Sequence, residues 1–314
     1  MDNKKLKLGF LNPISSEWVP FFTNNQIEQV SRVDDADYII YESNGDPVHV
    51  IMKIKATFPK NKLVFILSGD QSLHIDNECI WFTNAILPSG LAKQQTQIFV
   101  TNPAIFKFYE NINQNQGTLK IRKRYIDVYF KGTIWSGMRE EMYNYFCQEN
   151  SNKMSCIIEK NNDYWTWRLN NHVKPTQEEI ETEAFKSYEV MENALLCLCP
   201  KGNGNSSMRI VEALACGTIP VLINDFSAPF GKSWNEFGLV FDTKVHTWDY
   251  IYNECYKLIN DLERLEKLQK KGREYFQNVI YSDSRMTGFK MYKNLDTVAF
   301  GFSNLIINKL KQMS

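Results

Sequence analysis

Residues 195–223 read LLCLCPKGNGNSSMRIVEALACGTIPVLI, and the fold turns on this stretch. The apolar run 195–199 has the length of a strand, a loop of glycines and small polar residues follows, residues 207–216 read as a helix, and 219–223 is a second apolar run. A strand, a helix and another strand in succession form the unit of a parallel sheet covered on both faces. Cys197 and Cys199 stand two apart in the first run, so both face one side as small core residues.

The same alternation extends outward in both directions. Upstream, residues 5–11, 37–42 and 63–67 read as strands, and 19–33 and 48–58 as helices. A polar, then basic stretch, NQNQGTLKIRKRY, breaks the pattern near residues 117–124 and reads as a linker. A second series then gives strands at 126–130, 154–159 and 239–241 and helices at 139–148, 176–193 and 248–279. An amphipathic segment closes the chain at 286–310. We therefore expect two doubly wound α/β units. Residues 1–124 would form the first and 125–285 the second, with a C-terminal helix over 286–314 packing back on the first.

Composition narrows the class. Of the 314 residues 43% are hydrophobic and 23% charged, as in an ordinary globular protein. Lys and Arg number 36, equal to Asp and Glu, so no overall field draws the chain to nucleic acid, and an anionic ligand must be held locally. Seven cysteines without paired spacing point to reduced thiols, and the four histidines lack zinc-ligand spacing, so no metal is expected. The start, MDNKKLKLGF, lacks an apolar leader, and no window approaches the ~20 apolar residues of a membrane span, which gives the expectation of a soluble, cytoplasmic protein.

The loop at 200–207 suits a phosphate. Gly202 and Gly204 allow close backbone approach, Ser206 or Ser207 can cap the helix or donate a hydroxyl, and Lys201 adds positive charge at the helix's positive end. Arg209 and Glu212, three apart, share a helix face, with Ile210, Val211 and Leu214 on the apolar side. Spacing alone leaves two readings open. The guanidinium neutralises phosphate while the carboxylate accepts from ribose hydroxyls, or the two form an exposed ion pair worth about 0.3–0.5 kcal/mol.

The ordered set Cys197, Pro200, Lys201, Gly202, Ser207, Arg209, Glu212, Ala213, Leu214, Pro220, Val221, Pro229, Phe230 and Trp234 resembles the signature region of exostosin-type glycosyltransferases, family 47 of the sugar-transferase classification. Phe130, Gly132 and Arg139 are similar to the segment that opens the nucleotide-binding domain in that family. The resemblance covers residues 126–241. It implies the GT-B architecture of two Rossmann-like domains facing a cleft, and an inverting, metal-independent transfer from a nucleotide-diphosphate sugar to a hydroxyl of a glycan acceptor. It further implies a UDP-linked xylose, glucuronic acid or galactose as cosubstrate, with no separate cofactor. Because related animal and plant enzymes are membrane-anchored, it also implies a bacterial or viral enzyme of surface or capsid glycan synthesis. Carried over by motif position, Lys201, Gly202, Ser206, Ser207, Arg209 and Arg139 would surround the diphosphate and Glu212 the ribose.

Inversion needs a base that takes the acceptor's proton, projecting from the first unit. Asp70, directly after the 63–67 strand, is the candidate; Glu17, Glu42, Asp46 and His74 compete. Asp34, Asp35 and Asp37 show the Asp-x-Asp spacing of metal-bound sugar nucleotides but read as a solvated helix end. Lys120, Arg122, Lys123 and Arg124 read as a solvated linker face, with steering of an anionic substrate as the alternative. The aromatic stretch Tyr164, Trp165 and Trp167 fits either sugar stacking or core. Two competing functions remain: a GDP-fucose-dependent fucosyltransferase, against which the Ser-x-Arg-x-x-Glu form argues, and a non-catalytic module that binds sugar nucleotide or glycan.

Overall fold

The computed structural model describes residues 5–11, 27–43, 48–67, 79–83, 95–97, 99–101, 104–115, 120–134, 137–149, 153–160, 176–201, 207–224, 233–281, 298–300 and 310. Its first parallel sheet consists of β1 (Leu6–Phe10), β2 (Ile27–Gln29), β3 (Tyr38–Ser43), β4 (Leu63–Leu67), β5 (Ile80–Thr83) and β6 (Gln95–Gln97), in the order β2-β1-β3-β4-β5-β6. Helix α1 (Val48–Thr57) links β3 to β4. After β7 (Phe99–Thr101) and α2 (Ala104–Asn115) comes the second parallel sheet. Its members are β8 (Ile126–Gly132), β9 (Cys156–Lys160), β10 (Ala194–Pro200), β11 (Ile219–Ile223) and β12 (Leu239–Phe241), ordered β12-β11-β10-β8-β9. Between and after these strands lie α3 (Met138–Asn144), α4 (Gln177–Glu192), α5 (Met208–Cys216), α6 (Trp248–Ile259) and α7 (Leu262–Tyr275).

Both sheets follow the order 2-1-3-4-5 in their own chain sequence, with a sixth strand added to the first. This is the flavodoxin-like variant of the doubly wound plan, in which the strand order reverses next to the first strand. The reversal falls between β1 and β3 in one sheet and between β8 and β10 in the other. Ligands of open parallel sheets bind outside the carboxyl ends at such a switch point.

The apolar runs behave as buried parallel strands should. Every residue of β10 and β11 is buried. Leu196 and Leu198 face one core with Val128, Phe130, Val221 and Ile223, while Cys197 and Cys199 face the other with Tyr129 and Leu222. That second core is continuous with Leu6, Leu8, Tyr38, Ile40 and Val64 of the first sheet through α2 and α5. Helix α5 is thus enclosed almost all round, from Ile210 to Cys216, by β7, α2, α4 and α7.

Three expectations need correction. Where a helix is expected over 19–33, residues 27–29 form β2 and 33–35 a short 3-10 turn; Ile27 and Val30 fit a strand as well as a helix, and pairing of β2 with β1 decides it. Residues 298–300, inside the expected C-terminal helix 286–314, form β13 (Val298–Phe300), antiparallel to β7, because β7 offers a backbone partner that helical spacing ignores. The tail also meets β3: Tyr38 Oη donates to the Leu310 carbonyl at 3.0 Å. The single helix expected over 248–279 is two, parted where the Asp261 side chain accepts from Arg264 N and caps α7. Among the described residues no helix is long and apolar enough to cross a membrane.

Candidate functional site

The switch point of the second sheet lies between the carboxyl ends of β8 and β10, and two arginines converge there. Arg139 comes from the first turn of α3, the helix that follows β8. Its Nε donates to the Lys201 carbonyl at 3.2 Å, Nη1 to Thr133 at 2.9 Å and Nη2 to Pro200 at 3.4 Å, and the guanidinium lies 6.0 Å from the centre of the Phe130 ring. Carbonyls orient this group but carry no net charge to cancel its own. Burial, then the charge of Arg209, lowers its proton affinity below the ordinary arginine value.

Arg209 stands in the first turn of α5. Its Nε donates to the Lys131 carbonyl at 2.7 Å, which ties α5 to the end of β8, and its Nη1 donates to Glu212 Oε2. Burial is the largest single influence and works against the charged form here too, but the adjacent Glu212 carboxylate and, behind it, Tyr129, Tyr188 and Cys197 together outweigh it and hold the guanidinium more firmly protonated than usual. Glu212 is 2% exposed, and its second oxygen accepts from Tyr188 Oη of α4 at 3.2 Å. Burial first, then the Glu212 charge, pushes the Tyr188 phenol well up, so it stays a donor. The exposed ion pair of the simpler reading is therefore not what forms. The carboxylate is enclosed, with one donor on each oxygen.

Ser207 is the N-cap residue of α5 with extended backbone, yet no side-chain bond closes the cap among the described residues. Lys201 holds its place by donating its N–H to the Ile223 carbonyl at 3.2 Å, and it is half-buried. Lys131, one residue before the end of β8, pairs with Glu183 at 2.6 Å and Glu159 at 3.4 Å. Four predicted groups, Arg139, Lys201, Ser207 and Arg209, thus meet around one strand switch. Gly202, Ser206 and Asp70 lie outside the described residues, as do Glu17, Asp46, His74 and the aromatic stretch at 164–168.

The linker reading fails at Arg124. Its side chain is buried, Nη1 donating to the Ala194 carbonyl at 2.6 Å and to Thr218 Oγ1 at 3.0 Å, and Nη2 to the Cys216 carbonyl at 3.0 Å. Burial draws its proton affinity down to about 10, which leaves it charged at neutral pH. The cause is local: α5 ends at Cys216 with unsatisfied carbonyls and the negative end of its dipole, and a cation answers both. Arg273 of α7 donates to the Ala215 carbonyl and lies 4.4 Å from the Tyr109 ring centre, and Gln269 donates to Gly217 at 3.1 Å. Lys120, Arg122 and Lys123 keep to the expected exterior, Arg122 in an exposed pair with Glu266. Ile121 is buried beside it.

Asn224, at the carboxyl end of β11, was not singled out from the sequence. It has a φ of 80°, accepts from Thr243 N at 3.0 Å and Thr243 Oγ1 at 2.8 Å, and donates to Met138 Sδ beside Arg139. The readable signal is an asparagine directly after an apolar run, the side chain that best tolerates left-handed backbone after glycine. Asp37 of the Asp-x-Asp spacing is likewise structural, accepting from Lys7 N at 2.8 Å, while Asp34 and Asp35 are exposed.

The profile of the Exostosin GT47 domain matches residues 73–247, more than half of the chain. The chain belongs to this exostosin family. Among curated proteins, the exostosin-type chain is 43% identical over 60 residues to "Probable beta-1,4-xylosyltransferase IRX10L" of Arabidopsis thaliana, covering 18% of this chain and 14% of that one. It is 28% identical over 82 residues to "Exostosin-1" of Bos taurus, covering 25% and 11%. The matched stretches are thus a small part of those much longer relatives. Among solved structures, a glycosyltransferase of Rickettsia africae ESF-5 aligns over 99% of each chain at 10% identity and a TM-score of 0.43. An alpha1,3-fucosyltransferase aligns over 99% of this exostosin-type chain and 89% of its own at 12% identity and a TM-score of 0.42.

Proposed function

We propose that this chain is an inverting glycosyltransferase that moves a sugar from a UDP donor to a hydroxyl of a glycan acceptor. One observation carries the reading: Arg139 and Arg209 are held at one strand switch point, where Arg139's described bonds go to uncharged carbonyls and burial, then the charge of Arg209, lowers its proton affinity. Two like charges brought together at a helix N-terminus are costly until an anion joins them, and a diphosphate bridges both.

The chemistry follows from that placement. As the bond from the anomeric carbon to the diphosphate breaks, negative charge grows on the leaving oxygen, and guanidiniums already aimed there stabilise it without reorganising. Lys201 and the N–H groups around Ser207 extend the cradle, which supplies the charge a metal ion provides elsewhere. Asp70 is proposed as the base that takes the acceptor's proton. The name of the Arabidopsis relative supports a xylose donor, with glucuronic acid and galactose as the other choices.

Calorimetry with UDP tests this. Removing a charge-assisted bond costs about 1.5–3 kcal/mol, so Arg139→Ala and Arg209→Ala should each weaken UDP binding by about 10- to 150-fold. Unchanged affinity in both variants removes the reading. A thermal-shift series with UDP, GDP and CMP sugars checks the nucleotide, since only a ligand of the folded state raises the midpoint. A response to GDP sugars alone would replace UDP by GDP.

A further inference from the structure

We propose that Gly132 is a positioning residue: its missing side chain makes room for the Phe130 ring, and that ring seats Arg139 at a set distance from Arg209. The inference rests on the transferase reading only for the identity of the anion. Gly132 stands between two residues whose carbonyls hold one arginine each. Lys131 accepts from Arg209 Nε at 2.7 Å, and Thr133 accepts from Arg139 Nη1 at 2.9 Å. Residues 131–133 are thus a bracket for both cations, and the spacing of the cations is what a bridging diphosphate meets.

The backbone does not explain the glycine. Gly132 pairs with Lys160 as the last residue of β8, and it lacks the positive φ of Gly137 and Gly217, so the backbone there suits any residue. Space explains it. A Cβ would stand 2.8 Å from Phe130 Cζ and 3.4 Å from Cε1 and Cε2, and the first is well inside the contact distance of about 3.5 Å between carbons. Phe130 lies two residues back on the same face of the strand, so its ring runs along that face to the strand's end. The ring is 1% exposed and shares a core with Val128, Ile134 and Met142, so a displaced ring must push its neighbours. Arg139 lies 6.0 Å from its centre. A glycine at a strand end often stays bare for the approach of a ligand. Here the three nearest described atoms all belong to the protein's own ring.

The experiment is a cycle of Gly132→Ala and Phe130→Leu, read by calorimetry with UDP and inorganic pyrophosphate, each variant first shown to be folded by its urea midpoint. With the ring in place, the added methyl should weaken both probes by the same factor, about tenfold, the low end of what a lost charge-assisted bond costs. Phe130→Leu, whose side chain is too short to reach residue 132, takes the ring from beneath Arg139 and should weaken UDP by about two- to fivefold. The double variant should bind no worse than Phe130→Leu alone, so a second core substitution recovers affinity that the first had lost. Losses that add in full would overturn the proposal in favour of a ligand that occupies the bare space. Unchanged affinity in Gly132→Ala would overturn it as well. If Gly132→Ala does not fold, Phe130→Leu decides, and full UDP affinity there would show that the ring does not seat Arg139.

If the intact protein binds neither probe, the transferase reading fails and the positioning claim is still decided. In 15N NMR of the free protein, Gly132→Ala should move the Arg139 Nε–H resonance, whereas adding the same methyl to Phe130→Leu should leave it in place. A resonance unmoved by Gly132→Ala, or moved equally in both backgrounds, would refute the positioning role by itself.

Discussion

Two pairs of arginines flank α5, one at each end, and they meet opposite electrostatic fates. At the C-terminal end Arg124 and Arg273 lie against the carbonyls of Ala215 and Cys216, where the helix dipole is negative. Gly217 turns the chain out with φ 67°, and Thr218 N donates to the Ala213 carbonyl at 2.8 Å. Burial lowers the proton affinity of both arginines, but the negative end of the helix dipole and the nearby Glu192 charge favour their charged forms. At the N-terminal end Arg139 and Arg209 stand where the dipole is positive, and the carboxylate of Glu212 reaches only one of them. Similar groups therefore anchor the helix at one end and leave a net positive site at the other.

The sharpest way to break this comparison is Arg124→Met. It leaves the Cys216 carbonyl and the Thr218 hydroxyl without their buried cation, and the expected loss is about 3 kcal/mol of stability, read as a lower urea midpoint at unchanged slope. UDP affinity of the folded protein should stay within about twofold, since the anchored end is separate from the binding end. A large loss of affinity at unchanged stability would reverse the roles assigned to the two ends.

A smaller effect is expected from Gly217→Ala, which forces a side chain into left-handed backbone at the helix stop. The cost should be about 1 kcal/mol in the same unfolding assay. Smallest of all is Ser207→Ala. A capping serine or threonine is worth about 1 kcal/mol, and Thr247, whose side chain accepts from Tyr250 N at 3.2 Å, should show that loss as Thr247→Ala. Ser207 makes no such bond within the described residues, so its removal should change stability by less than about 0.5 kcal/mol while still weakening UDP binding. Equal destabilisation by the two substitutions would show that Ser207 is a cap and not a ligand group.

The sequence shows the strands best where they are buried on both faces. The runs at 63–67, 219–223 and 239–241 have the bounds of β4, β11 and β12, because an unbroken apolar run has one stable use in a doubly wound sheet. It shows less where a short segment fits two periods, as at Ile27 and Val298, since the deciding term is a partner strand far along the chain. The motif order around Lys201, Ser207, Arg209 and Glu212 was readable, but the roles within it were not. Glu212 looks like an exposed helical carboxylate until α4 covers it with Tyr188. Arg124 looks like one more cation in a basic run until the end of α5, some 90 residues on, supplies two acceptors and the start of β10 a third. Charge patterns do not say which member of a run is enclosed; only the packing of distant elements does.

Pro220 sits inside β11 with strands on both sides, a place where a missing N–H ordinarily breaks a ladder. Its carbonyl points towards Gly238, where a Cβ would stand 2.5 Å from the oxygen, so its ring nitrogen faces that side too, just before β12 begins to pair at Leu239. The ladder to β10, with Cys197 opposite Pro220, is therefore unharmed. Slipping β11 by one residue would turn the nitrogen towards β10 and forfeit a central bond. The proline thus acts as an alignment key. It admits one register of the strands that carry the Lys201 end of the cradle, and so fixes where the backbone of that cradle stands before any ligand arrives.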